Sequence, residues 1–197
     1  MARPAKFTRD DVLDAAARAV SRRWRDTTIA DVAGELDAPS GSIYHRFASR
    51  DDLLGTLWVR EIERFHEGFL AAADNDDASV ALIACALHIP RYCRRHPDRA
   101  IAMTLFRQAD LVERVTAPEL THAVAVINDH VVATLVDLSR ARFGSARRPR
   151  LELVTAACQE IPYGLVRGRI AERASIQRWI DAAVAGSARE VLAIGDD

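Results

Sequence analysis

Apolar residues recur at three- and four-residue spacing along almost the whole chain, and no stretch alternates apolar and polar residues at the two-residue period of a strand. Glycine and proline are sparse, so the pattern predicts an all-α protein whose helices are joined by short turns. A first helix is expected over Thr8 to Val20, with Val12, Leu13, Ala16, Ala19 and Val20 as its apolar stripe. Two short helices follow, Thr28 to Leu36 and Pro39 to Phe47, separated by the turn Asp37 and Ala38. A fourth runs from Ser49 through Leu70, and its stripe of Leu53, Leu54, Leu57, Trp58, Ile62, Phe65 and Phe69 marks it as a long connecting helix. The polar stretch Asp74 to Asp77 ends that pattern. Further helices are expected over Ser79–Arg95, Pro97–Phe106, Pro118–Phe143, Pro149–Gly168 and Ala174–Leu192, with Gly144 to Arg150 as a loop. The chain then divides into an N-terminal domain of residues 1–50 and a second helical domain of residues 51–197.

Three helix starts share one signal, a hydroxyl residue followed three positions later by aspartate: Thr8 with Asp11, Thr28 with Asp31, and Ser49 with Asp52. The hydroxyl accepts from an unpaired first-turn N–H, and the carboxylate complements the positive end of the helix dipole.

Composition narrows the class. With 197 residues, 49% of them hydrophobic, the chain has ample material for a core. Its longest uncharged stretch, Ala78 to Pro90, is far too short to span a bilayer, and the N-terminus lacks an apolar signal core, so a cytoplasmic protein without membrane attachment is expected. Cys85, Cys93 and Cys158 are an odd number at low density, which reads as reduced core thiols. The net charge of −1 argues against indiscriminate coating of nucleic acid, but residues 1–50 carry +2 and the remainder −3.

The third helix carries the first candidate chemistry. If Ile43 and Phe47, one turn apart, point inward, then Gly41, Ser42 and His45 fall on the outward face with Tyr44 and Arg46 on its flanks. Such a face permits close approach, hydrogen bonding to base edges and phosphate contact. An ordinary solvated helix face has the same composition. The run Thr28-Ile-Ala-Asp-Val-Ala-Gly-Glu-Leu-Asp-Ala-Pro-Ser-Gly-Ser-Ile-Tyr-His-Arg-Phe-Ala-Ser-Arg-Asp-Asp-Leu-Leu54, and the Ile43–Phe47 block above all, resembles the helix-turn-helix of the tetracycline-repressor (TetR) family.

The resemblance implies an N-terminal three-helix DNA-binding domain, a long connecting helix, and a C-terminal helical domain for ligand binding and dimerisation. It makes Thr28 a phosphate contact that caps its helix, and places Ser40, Gly41 and Ser42 nearest the base edges. Tyr44 and His45 match the family's phosphate-contacting pair, and Arg50 stands where the family commonly has lysine. Asp37 departs from the pattern, because the family usually has glycine at that turn, where a positive φ is easy. The implied function is a repressor that binds a pseudo-palindromic operator as a homodimer and is released by a small-molecule effector. The alternative is a helical binding protein or enzyme with a vestigial helix-turn-helix.

In the second part, Trp58, Cys85, His88, Tyr92, Phe106, His122 and Tyr163 are candidates to line an effector pocket, each also readable as a core residue. The last two helices offer dimer candidates: Cys158, Ile161 and Leu165 on one, and Ile176, Trp179, Ile180, Ala183 and Val184 on the other. Cys85/His88 and Cys93/His96 form two Cys-x-x-His pairs, but eight helical steps point the cysteines about 80° apart, so a tetrahedral centre is not expected. Neither a nucleophile elbow, a phosphate-cradling glycine loop nor a His-Glu-x-x-His motif is present, and neither a cofactor nor a catalytic role is expected.

Overall fold

The structure, a computed structural model, describes residues 7–196, and all regular elements among them are helical. In chain order they are α1 (Arg9–Arg23), α2 (Ile29–Glu35), α3 (Gly41–Tyr44), α4 (Arg50–Ala73), α5 (Ala78–Arg95), α6 (Pro97–Met103), α7 (Gln108–Val112), α8 (Pro118–Val126), α9 (Asp129–Phe143), α10 (Arg148–Thr155), α11 (Ile161–Ala171) and α12 (Trp179–Ala193). No helix among the described residues is long and apolar enough to cross a membrane. The chain forms two compact units, residues 7–62 with Asp98–Ile127, and Glu63–Pro97 with residues 128–196.

The first unit is built on α1, whose stripe of Val12, Leu13, Ala15, Ala16, Ala19 and Val20 is buried. The Thr8 and Thr28 signals close as reciprocal capping boxes: each threonine hydroxyl accepts from the aspartate N–H at 3.1 Å, and each aspartate carboxylate accepts from the threonine N–H. The Ser49 signal closes differently. Ser49 caps the Asp52 N–H at 2.9 Å, but the Asp52 carboxylate accepts from the Thr116 N–H and hydroxyl, both at 2.8 Å. Other bonds also tie 98–127 to the N-terminal helices. Trp58 donates to the Met103 carbonyl at 2.9 Å, Trp24 to the Thr104 hydroxyl at 3.2 Å, and Arg25 to the Leu105 carbonyl at 3.1 Å.

In the second unit α5 is the central helix, packed against α9, α11 and α12. Helices α10 and α11 are joined by a π-helical turn, Ala156–Glu160, in which the Ile161 N–H reaches back to the Ala156 carbonyl. Pro162 follows immediately and lacks the N–H of a regular helix, so the wide turn accommodates a residue that would clash with the carbonyl four positions back. The helix expected over Pro118–Phe143 is interrupted at Ile127 and Asn128, with Asn128 at the N-cap position of α9. Short polar residues such as Asn128 and Asp129 compete with the helical backbone, and that signal was present in the sequence. The expected helix Pro97–Phe106 ends at Met103, and the short α7 follows it.

Candidate nucleic-acid interface and interior pocket

Helix α2 ends at Glu35, Asp37 adopts φ 48° in the turn, and α3 begins at Gly41. The positive φ expected at this turn is therefore carried by an aspartate, which tolerates it better than most residues. Ile43 and Phe47 are buried, so α3 is seated by its apolar pair and its other face is fixed by helical geometry. Gly41, Tyr44 and His45 are exposed, with Tyr44 56% accessible, while Ser40 and Ser42 are half-buried. A Cβ at Gly41 would meet no atom within 4 Å, so nothing inside the fold requires glycine there, although glycine costs helix stability. Thr28 lies exposed at the N-terminus of α2, with its hydroxyl in the capping box.

Two of the basic residues serve the fold as well. Arg46, expected on the flank of the outward face, is half-buried and donates to the Ser42 and Phe7 carbonyls at 2.7 and 2.6 Å, which ties α3 to the chain ahead of α1. Arg50 donates to the Thr27 carbonyl at 2.6 Å and to the Arg25 carbonyl, and pairs with Asp51 at 3.0 Å. Part of its guanidinium fork thus holds the turn ahead of α2.

The residues expected to line one effector pocket are distributed over both units. Trp58 belongs to the core of the first unit, where it is 4% accessible and bonded to Met103, and Phe106 and His122 also belong to that unit. Tyr163 is exposed at 46% on the second unit, because α11 turns its Val166 face towards the interior instead. Cys85, His88 and Tyr92 come together on α5. The Cys85 thiol is buried 3.7 Å from the Phe69 carbonyl, and His88 Nε2 lies 3.0 Å from the Phe65 carbonyl, its ring against those of Phe65 and Tyr92. Burial holds the His88 imidazole below its ordinary pKa, partly opposed by the Phe65 carbonyl. A pocket of about 260 Å³ lies beside it, lined by His88 and Tyr92 with Ala72, Ala84, Arg91, Arg95 and His96. The sequence reading missed both arginines, although Ala84, His88, Arg91, Tyr92 and Arg95 follow one face of a helix.

Burial pushes the Cys85 and Cys93 thiols up to about 12, so both are protonated near neutrality and weak as ligands or nucleophiles. Among the described residues no three His, Cys, Asp or Glu side chains gather in a way that could hold a metal ion. Of the dimer candidates, Cys158, Ile176, Ile180 and Val184 are buried inside the second unit, where the turn after α10 and α12 pack against α5. Ile161 and Ala183 are half-buried, whereas Leu165 and Trp179 are exposed, joined by Tyr163 and Ile194.

A short helix pair with an outward polar face, set among α1 and α4, is a helix-turn-helix head, here followed by a helical second unit. Residues 12–57 match the profile of the family described as bacterial regulatory proteins, tetR family. No curated protein matches the chain. Among solved structures, a TetR transcription regulator from Haloarcula marismortui is similar at 14% identity and a TM-score of 0.71, covering 94% of this chain and 96% of that one. The fatty acid degradation regulator FadR from Bacillus halodurans is similar at 15% identity and a TM-score of 0.68, covering 94% and 98%. FadR from Bacillus subtilis, solved in complex with stearoyl-CoA, is similar at 17% identity and a TM-score of 0.66, covering 95% and 99%. The N-terminal segment is that of the TetR family, and the chain as a whole has the TetR-regulator fold.

Proposed function

We propose that the protein is a cytoplasmic, homodimeric transcriptional repressor that reads a pseudo-palindromic DNA operator with α3 and releases it when a small molecule binds the second unit. The observation that carries this reading is the α3 face. It keeps Gly41, Tyr44 and His45 outward on a helix anchored by Ile43 and Phe47, inside the segment that matches the family profile. Gly41 lets the backbone approach base edges, Ser40 and Ser42 supply hydrogen bonds, and Thr28, Tyr44, His45, Arg46 and Arg50 stand at phosphate-contacting positions. A two-fold operator calls for two copies, and the exposed Leu165, Trp179, Tyr163 and Ile194 give α11 and α12 an apolar surface for a partner. The second-unit pocket, with His88 and Tyr92 in its wall and Arg91 and Arg95 beside them, suits a ligand with an anionic end. Stearoyl-CoA, which the Bacillus subtilis structure contains, is the first such compound to test.

The test is binding of the full-length protein to the DNA upstream of its own gene and to an unrelated duplex of equal length. Selective binding that Tyr44→Ala with His45→Ala abolishes, in a variant that melts like the parent, is the expected result. Equal, weak binding of both duplexes by parent and variant would favour a helical binding protein or enzyme with a vestigial helix-turn-helix.

A further inference from the structure

Within the first unit, four arginines meet around one cleft of about 130 Å³ whose lining includes no α3 residue. Arg25 and Arg50 come from the two ends of the helix-turn-helix segment, and Arg107 and Arg114 flank α7. Asp110 is the single carboxylate in the lining, and it forms no ion pair with any of the four. Phe106 lies in the apolar part of the wall, with Leu54 and Leu105.

Two of the guanidinium groups are fixed before any ligand arrives. Arg50 is held by the Thr27 and Arg25 carbonyls and by Asp51. Arg25 is held through its Nε by the Leu105 carbonyl and stacks on Trp24, 4.4 Å from the ring centre. The bond from its Nε leaves the two terminal nitrogens of Arg25 for another acceptor. Arg107 and Arg114 are exposed and carry no ion pair among the described residues. Four guanidinium groups around one concave space repel one another, and a compact polyanion relieves that repulsion while accepting charge-assisted hydrogen bonds.

We infer that this cleft is a binding site for a small anion bearing phosphate or pyrophosphate, with an adjoining apolar group lodged against Phe106. The preorganised forks of Arg25 and Arg50 form its fixed wall, and Arg107 and Arg114 close over it from α7. The same chemistry is offered by a free phosphorylated metabolite and by the backbone of DNA, and the site is assigned here to the free molecule. The inference does not rest on operator recognition, since the pyrophosphate titration contains no DNA.

Calorimetric titration of the full-length protein with inorganic pyrophosphate at low salt gives the readout. One saturable site per chain is expected, weakened about tenfold or more in the double variant R107Q/R114Q, because each lost charged hydrogen bond is worth that much. The control R147Q/R148Q, two exposed arginines of the second unit, leaves it unchanged. Absence of saturable binding by the parent, or equal weakening in both double variants, overturns the inference. So does a parallel titration in which R107Q/R114Q keeps its affinity for pyrophosphate but loses affinity for a random-sequence duplex, which would give the arginines to the DNA backbone.

Discussion

Gly41 and Gly68 stand in the two units, and the space around them is opposite in kind. A Cβ at Gly41 meets nothing within 4 Å, whereas one at Gly68 would lie 2.4 Å from His88 Cε1. Gly68 is therefore required by the protein's own packing, where α4 lets the His88 ring sit beside it. Nothing packed in the chain requires glycine at Gly41, which the proposed close approach of α3 to DNA would use. The contrast extends to the polar groups. In the first unit they serve local caps, an outward face and the buried Asp52 and Glu61, and in the second they gather in a pocket wall of His88, Tyr92, His96 and two arginines.

The contrast can be broken at several points. Glu61, fully buried in the first unit, accepts from Arg60 at 2.9 Å and lies 3.6 Å from Arg99, while Arg60 also reaches Asp14 at 2.9 Å. Arg60 keeps Asp14 when Glu61 is removed but loses its buried partner, so Glu61→Ala should lower stability by about 1–3 kcal/mol, read by chemical denaturation. Gly68→Ala should cost about 1–3 kcal/mol through overpacking and leave DNA binding at low temperature intact. Displacing the ring should also bring the His88 pKa back up towards its ordinary value, followed by NMR titration.

Gly41→Ala should do the reverse, raising stability by about 0.5–1 kcal/mol while weakening operator binding. A loss of stability there would show that the packing around α3 does need the glycine.

Acid should also separate the units. His88 titrates below its ordinary value, so its folded form favours the neutral ring, and its contribution is full above about pH 6.5 and lost as pH falls further. Burial alone would raise the Asp52 carboxyl, but hydrogen bonds from Thr116, Ser49 and the Ala117 N–H outweigh it and hold the group below the usual carboxylate range. Its contribution is present above about pH 4 and lost only below that. Local probes in the second unit should therefore respond first as pH falls, and Asp52→Asn should flatten the later loss in the first.

How much of this could be read from the sequence follows from the range of the interactions. The Thr8 and Thr28 caps and the Ile43/Phe47 anchor join residues three or four apart, and such spacing is visible in a bare sequence. The reach of Asp52 to Thr116 and of Trp58 to Met103 spans 64 and 45 residues, and no local pattern announces it. The dimer candidates divide between buried and exposed residues for a related reason. An apolar stripe says that a face is buried but not by what, so Ile180 and Val184, which cover α5, looked the same as the exposed Trp179 and Leu165. Pro162 was visible, but the π turn that makes room for it was not.

The central claim is that α3 is a sequence reader, and selection of bound duplexes from a random-sequence library by the purified full-length protein tests it most directly. The account predicts enrichment of a two-fold related motif whose half-sites lie about one helical turn apart, or a multiple of it, lost with Tyr44→Ala and His45→Ala. A library that emerges unenriched at moderate salt, with binding no stronger than to random duplex, would contradict it.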